Sequence, residues 1–437
     1  MHPDASAWQV LEHEARALLQ RLSRIKSFAL QETMVPAAAL SVEAQAAVER
    51  HMARTIHRLK QRVLKFIEWI GSSEGRHVPA HEAQRRFTLL RLRFNAVLSH
   101  VDIFSEAISQ RSESESGVWL SGLDVVCRDA LVLPGFIEPP PVVCYLARGA
   151  GAAIRRARTR LPGGGENPIA IVRVPRERMI SSGLASSLIH EVGHQGAALL
   201  DLVASLREAL RKPAPSGIGV RAWERFGAWI SEIVADFWSV AKLGITSTAG
   251  LLGVVSMPAA FVFRDVPGDP HPIPFIRVKL SAAIGNALYP DPQWARITEL
   301  WSSLYPVAGL EAERRGLFAE LEGSAPAFAE FLVSHRPRRL GGRMLGEALG
   351  SADRMPERLL TLFEQRRSVA KLTQLRPSLA FAVIGQARSH GLVTPELEGD
   401  LLAELLRRWA WRATVDASEV CAHTRAIETR FPIQAVR

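Results

Sequence analysis

The segment SSLIHEVGHQGAALL, Ser186 to Leu200, sets two imidazoles and a carboxylate in an otherwise apolar run. Such groups are costly to bury unless they are hydrogen-bonded, paired or bound to a metal. At helical spacing His190 and His194 fall one turn apart on one face, where both rings can reach a single ion. Glu191 lies one position along, close enough to hold a water at that ion. The pattern HExxH therefore carries the chemistry of metal-assisted hydrolysis.

A catalytic zinc takes three protein ligands and keeps a fourth position open. The metzincin extension of the motif would need glycine and histidine where Ala197 and Leu200 stand, so that class is excluded. A carboxylate from a second helix is the alternative, and WISEIVADFWSVAKLG supplies one. Between Trp229 and Leu243 the charged residues are Glu232, Asp236 and Lys242, and the neighbours Ile230, Ile233, Val234, Phe237 and Trp238 predict burial on nearly every side. Glu232 and Asp236 share one helical stripe, and two unpaired carboxylates there would repel. Ligation of a metal by one, with a hydrogen bond from the other to a ligand histidine, removes the conflict.

HExxH on one helix followed by ExxxD on the next resembles the thermolysin-like gluzincins, zinc metallopeptidases. The resemblance covers roughly residues 165 to 290 and is one of motif and order. The stretch between His194 and Glu232 is longer than in thermolysin, which limits the assignment to the class. The resemblance implies that His190, His194 and Glu232 bind Zn2+, that Glu191 is the catalytic acid and base, and that Asp236 orients a zinc-binding histidine. It implies an oxyanion-binding His or Tyr downstream, a role that falls to His271, braced between Pro270 and Pro272, with Tyr289 and Arg277 behind it. It also matches the strand Ile169 to Val174 to the sheet edge on which zincins lay an extended substrate. The competing readings are a metal-free polar network, a zinc site that only holds the fold, an inactive zincin-fold binding protein with basic helical arms, and a zinc hydrolase acting on a non-peptide amide. A structural zinc usually has four protein ligands, often cysteines, and no fourth candidate lies near.

The elements that must position these residues are mostly helices. Apolar residues recur at three- and four-residue spacing over Val42 to Ile70 and Pro79 to Ile108, and again over Trp119 to Leu133. Ser109 to Gly117 is polar and turn-like, and EPPPVV is a breaker. IAIVRV, Ile169 to Val174, reads as a strand closed by Pro175. Long helices are expected from about Ser182 to Leu210 and from about Arg221 to Leu243, with another over Phe275 to Leu288 and further helices after Leu310. The glycines Gly163 to Gly165 lack the ending of a phosphate loop and read as a turn. The expected fold is α+β and predominantly α-helical. It has an N-terminal helical region (1–116), a zincin-like metallopeptidase domain with a small sheet (117–306) and a C-terminal helical region (307–437).

Composition sets the outer bounds. The 437 residues are 47% hydrophobic, enough for a substantial core. Three widely spaced cysteines, Cys127, Cys144 and Cys421, make neither a disulfide framework nor a cysteine zinc finger, and Cys127 and Cys144 read as small buried apolar groups. The first residues carry charges and no apolar signal core, so the expected location is the cytoplasm. Leu243 to Phe263 is uncharged and long enough to span a bilayer, but its Gly, Pro258 and Ser/Thr content favours a buried helix and loop. The net charge is +10, and its densest cluster, RGAGAAIRRARTR from Arg148 to Arg160, is read as a solvated or ion-paired helix. No nucleic-acid motif accompanies it. The expected partner is a protein or peptide substrate, with neither nucleic acid nor membrane indicated and the oligomeric state open.

Overall fold

A computed structural model of the chain describes residues 3–26, 28–148, 151–176 and 181–430. The fold is α+β and predominantly helical, with a three-stranded sheet of order β1-β3-β2: β1 is Val142–Ala147, β2 Ala153–Arg155 and β3 Ala170–Pro175. β3 runs parallel to β1 and antiparallel to β2.

Side chains of a strand alternate between faces, and the sheet uses both. Val142, Cys144, Leu146, Ala170, Val172 and Val174 join one core, packed beneath the helices Ser116–Leu131 and Ser182–Leu199. Val143, Ile169 and Ile171 join another, against Val48, Met52 and Phe104 of the long helices Val42–Gly71 and Ala80–Ser109. Both faces are therefore covered, which explains why β1 and β3 read as nearly continuous apolar runs. The long N-terminal helices extend past the sheet into a separate cluster around Leu18, Val63 and Phe87, closed by the helix Pro3–Arg24. The core above the sheet runs through residues from Leu120 to Trp409, so segments on both sides of residue 306 contribute to it.

Three expectations need correction. Ile169 to Val174 does not form an edge: β3 is hydrogen-bonded on both sides, and the edge strands are β1 and β2. The arginine-rich stretch from 148 to 160 is not a helix, because Ala153–Arg155 pairs with the open side of β3 and turns follow. Each of the two long central helices is two. The first breaks at Asp201, which takes a left-handed φ of 54°, between Ser182–Leu199 and Leu202–Leu210; the second breaks at Trp229, between Val220–Ala228 and Ile230–Leu243. The uncharged stretch forms the helices Ile245–Val255 and Ala259–Val262, and no described helix is long and apolar enough to cross a membrane.

Candidate metal centre

The site lies where the histidine helix, Ser182–Leu199, crosses the carboxylate helix, Ile230–Leu243. Glycine makes that crossing close. A Cβ on Gly193 would stand 2.9 Å from the Ala235 carbonyl oxygen, and one on Gly196 would stand 2.5 Å from the Trp238 ring. Trp238 is fully buried and its indole N–H donates to the Ala130 carbonyl at 3.1 Å. The carboxylate helix ends at Gly244, whose φ of 59° suits glycine, and every one of its residues but Ser231 is buried. Ser239, on its inner face, donates to the Ser186 carbonyl at 3.2 Å and ties the two helices together.

At the crossing His190 Nε2 lies 3.2 Å from Glu232 Oε2, and His194 Nε2 lies 3.3 Å from Glu232 Oε1. One donor atom from each of these three residues lies within 4.8 Å of the others. A tetrahedral zinc with bonds of about 2.0–2.1 Å spaces its ligand atoms about 3.3 Å apart, so the donor set fits such an ion in both type and reach. His190 Nδ1 donates to Asp236 Oδ1 at 2.7 Å, which turns Nε2 toward Glu232.

Arg277, on the helix Pro274–Leu288, completes the arrangement from a third side. Its Nε and Nη2 donate to Asp236 Oδ2 and Oδ1 at 2.7 and 2.9 Å, a bidentate pair. Nη2 also stands 3.3 and 3.4 Å from the two ring nitrogens of His190, so the guanidinium meets the ring's face and not a single lone pair. Burial alone would lower the His190 pKa, but Asp236, and then the hydrogen bonds to Asp236 and Glu232, raise it to about 9. Burial would raise the Asp236 carboxyl, yet Arg277 and His190 hold it at about 2. Glu232 is likewise opposed by burial, and the hydrogen bonds with His190 and His194 hold it well below the usual carboxylate range. The cluster thus keeps a positive charge among its donors, a place that a divalent cation can take in exchange for a proton.

Glu191 lines the same cavity, of about 660 Å³, and no described residue makes a hydrogen bond or ion pair to its carboxylate. His271 is half exposed at the cavity's rim. Its Nδ1 faces Asp269 at 2.8 Å and its Nε2 faces Glu232 Oε2 at 3.5 Å. The structure therefore brings together His190, Glu191, His194, Glu232, Asp236, His271 and Arg277. Tyr289 does not join them: it is buried, its hydroxyl donates to the Ala241 carbonyl at 2.6 Å, and burial drives its pKa up to about 12. Arg277, considered from sequence only as an oxyanion donor, is committed to Asp236.

Three contributors were missed in sequence. Gln195, beside the second histidine, is buried and its Oε1 accepts from the Ala157 N–H at 2.8 Å. That bond fastens the chain just after β2 to the histidine helix, and β2 forms a wall of the cavity through Ala153 and Ile154. Gly193 and Gly196 are the other contributors, and their spacing on the Trp238 side of the helix was the available signal. No known protein family, curated protein or solved structure matches the chain.

Proposed function

We propose that the chain is a zinc-dependent metallopeptidase of gluzincin-like design, with a zincin-type centre held between helical regions. The observation that carries the reading is the convergence of His190, His194 and Glu232 around one point, with Glu191 lining the same cavity. Two imidazoles and one carboxylate are a donor set suited to zinc, and they leave room for a fourth ligand. Zinc, when bound, polarises a carbonyl and lowers the pKa of water toward neutrality.

The protein's own groups have separate tasks. Glu191, one residue from a ligand and with no hydrogen bond or ion pair among the described residues, accepts a proton from the attacking water and returns it to the leaving amine. Asp236 fixes the ring of His190 through Nδ1, and Arg277 fixes Asp236 in turn. His271, with its ring pinned by Asp269, stands at the rim where negative charge on a carbonyl oxygen would develop. The free edge of β2 borders the cavity, so an extended peptide can add to the sheet there through main-chain hydrogen bonds.

The test is cleavage of a diverse peptide library by zinc-loaded protein, read by mass spectrometry. Cleavage should stop on chelation and return with zinc. Glu191→Gln should keep fold and zinc and lower turnover by about 10²- to 10⁴-fold, because it removes the proton acceptor without touching a ligand. Near-wild-type turnover in that variant would sink the mechanism.

A further inference from the structure

The cavity holding the metal centre does not end at the sheet. Ala153, Ile154, Arg156 and Arg173 line both it and a second cavity of about 520 Å³. A third, of about 570 Å³, shares Glu106, Tyr145 and Arg173 with the second. Arg173 thus stands where all three meet. The register accounts for its company. Arg173 pairs with Tyr145 on β1 and Ala153 on β2, while Arg155 pairs with Ile171. Alternation then puts Arg155 and Arg173 on one face of adjacent strands. Arg156 follows directly, held in place by the neighbouring Ala157–Gln195 bond.

Among the described residues no carboxylate forms an ion pair with Arg155, Arg156 or Arg173, and Glu106 is the single acidic residue lining the second cavity. Among the described residues Arg173 Nε, shut off from solvent, has no hydrogen-bond partner, and Nη2 reaches the Gly151 carbonyl at 3.4 Å. A guanidinium N–H left unmatched in this way is costly, and a carboxylate is the acceptor that fits its fork. The contrast with Arg277 is direct, since Asp236 already fills that fork.

We propose that Arg155, Arg156 and Arg173 form a specificity subsite for a substrate carboxylate, so that the enzyme selects acidic peptides. The inference rests on the peptidase reading above and names its substrate class. The carboxylate can come from an acidic side chain or from the peptide's C-terminus.

The test uses zinc-loaded full-length Glu191→Gln protein and fluorescent N-acetylated octapeptides, one with Glu at alternate positions and one with Gln there, each as amide and as free acid. Fluorescence anisotropy should show the Glu peptide binding about 10- to 100-fold tighter than the Gln peptide, the range of a charge-assisted hydrogen bond. The preference should shrink in high salt. Adding Arg156→Gln or Arg173→Gln should lower that preference, and Arg173→Lys should recover only part of it, since an ammonium lacks the fork. Arg91→Gln, an equal charge change on the exposed surface of the N-terminal helices, should leave it unchanged. A Glu-over-Gln preference that persists in the amides assigns the carboxylate to side chains; free acids that bind tighter than amides, with Glu and Gln alike, assign it to the C-terminus. Equal binding of all four peptides, or tighter binding of a single-stranded oligonucleotide of the same charge, would overturn the proposal. Cleavage by the wild type separates the two claims. Cleavage without acidic preference removes the subsite and leaves the peptidase, whereas acidic binding without any cleavage removes the peptidase and leaves the subsite.

Discussion

Among the described residues two pairs of histidines lie ring against ring, one half-buried and one buried, and their surroundings give them opposite characters. His190 and His194 meet edge to face with ring centroids 4.9 Å apart; His51 and His100, on the long N-terminal helices, lie 5.2 Å apart. The first pair faces Glu232 and Asp236, which raise His190 to about 9 against the effect of burial. Among the described residues no carboxylate forms an ion pair with the second. Burial, then His100, Arg54 and Arg58, lower His51 to about 4. His100 Nε2 donates to the Pro162 carbonyl at 2.8 Å, which leaves its Nδ1 to accept from His51 Nε2 at 3.3 Å. That pair is a neutral relay whose hydrogen bonds end on a backbone acceptor. Two imidazoles in contact therefore do not make a metal site. Carboxylates among them supply the further donors that a metal site needs.

The comparison can be broken from either side, and the largest effect is expected at the rim of the central pair. His271→Ala should leave zinc content intact and lower kcat by about 10²-fold with little change in KM, as loss of an oxyanion donor does. Unchanged kcat with a lower melting temperature would make His271 a structural residue and leave the oxyanion without a donor from this loop. Asp236→Ala takes away the carboxylate that most distinguishes His190 from His51. Zinc affinity measured by competition with a chelator should drop by roughly 10- to 100-fold. An affinity equal to wild type would show that the ring of His190 needs no such anchor.

The smallest effect concerns the neutral pair and acid. The folded pKa of His51 lies below the ordinary histidine value, so the folded state resists its protonation. The pair's stabilising contribution is whole above about pH 6.5 and is lost as pH falls toward about 4. The melting temperature of metal-free protein should decline across that window, and His51→Gln, which keeps an N–H donor for His100 but cannot titrate, should make the decline shallower. A slope identical to wild type would mean that His51 is already protonated in the fold.

Much of the central pair was legible in sequence, because its geometry is local. His190, Glu191 and His194 share one helix and Glu232 and Asp236 another, and helical periodicity alone places each set on one face. What periodicity cannot give is the meeting of separate segments. β2 is three residues among arginines, and it exists because β3 offers an open edge and Gln195 holds the turn that follows. Without those partners the stretch reads as a polar helix. The break at Trp229 is preceded only by Gly227, which itself lies inside a helix, and that at Asp201 depends on a left-handed residue of a type that visits this region only occasionally. The His51–His100 relay joins two helices through residues with no local pattern. Gly193 and Gly196 acquire meaning only once Trp238 lies opposite them.

The central claim is that His190, His194 and Glu232 together hold a metal. The direct measurement is elemental analysis of purified protein after zinc loading and desalting, on the wild type and on His190→Ala, His194→Ala, Glu232→Ala and His51→Ala, with fold checked by circular dichroism. About one zinc per chain is expected in the wild type and in His51→Ala, and close to none in the other three. Folded Glu232→Ala protein with a full complement of zinc, or wild type with none, would contradict the account.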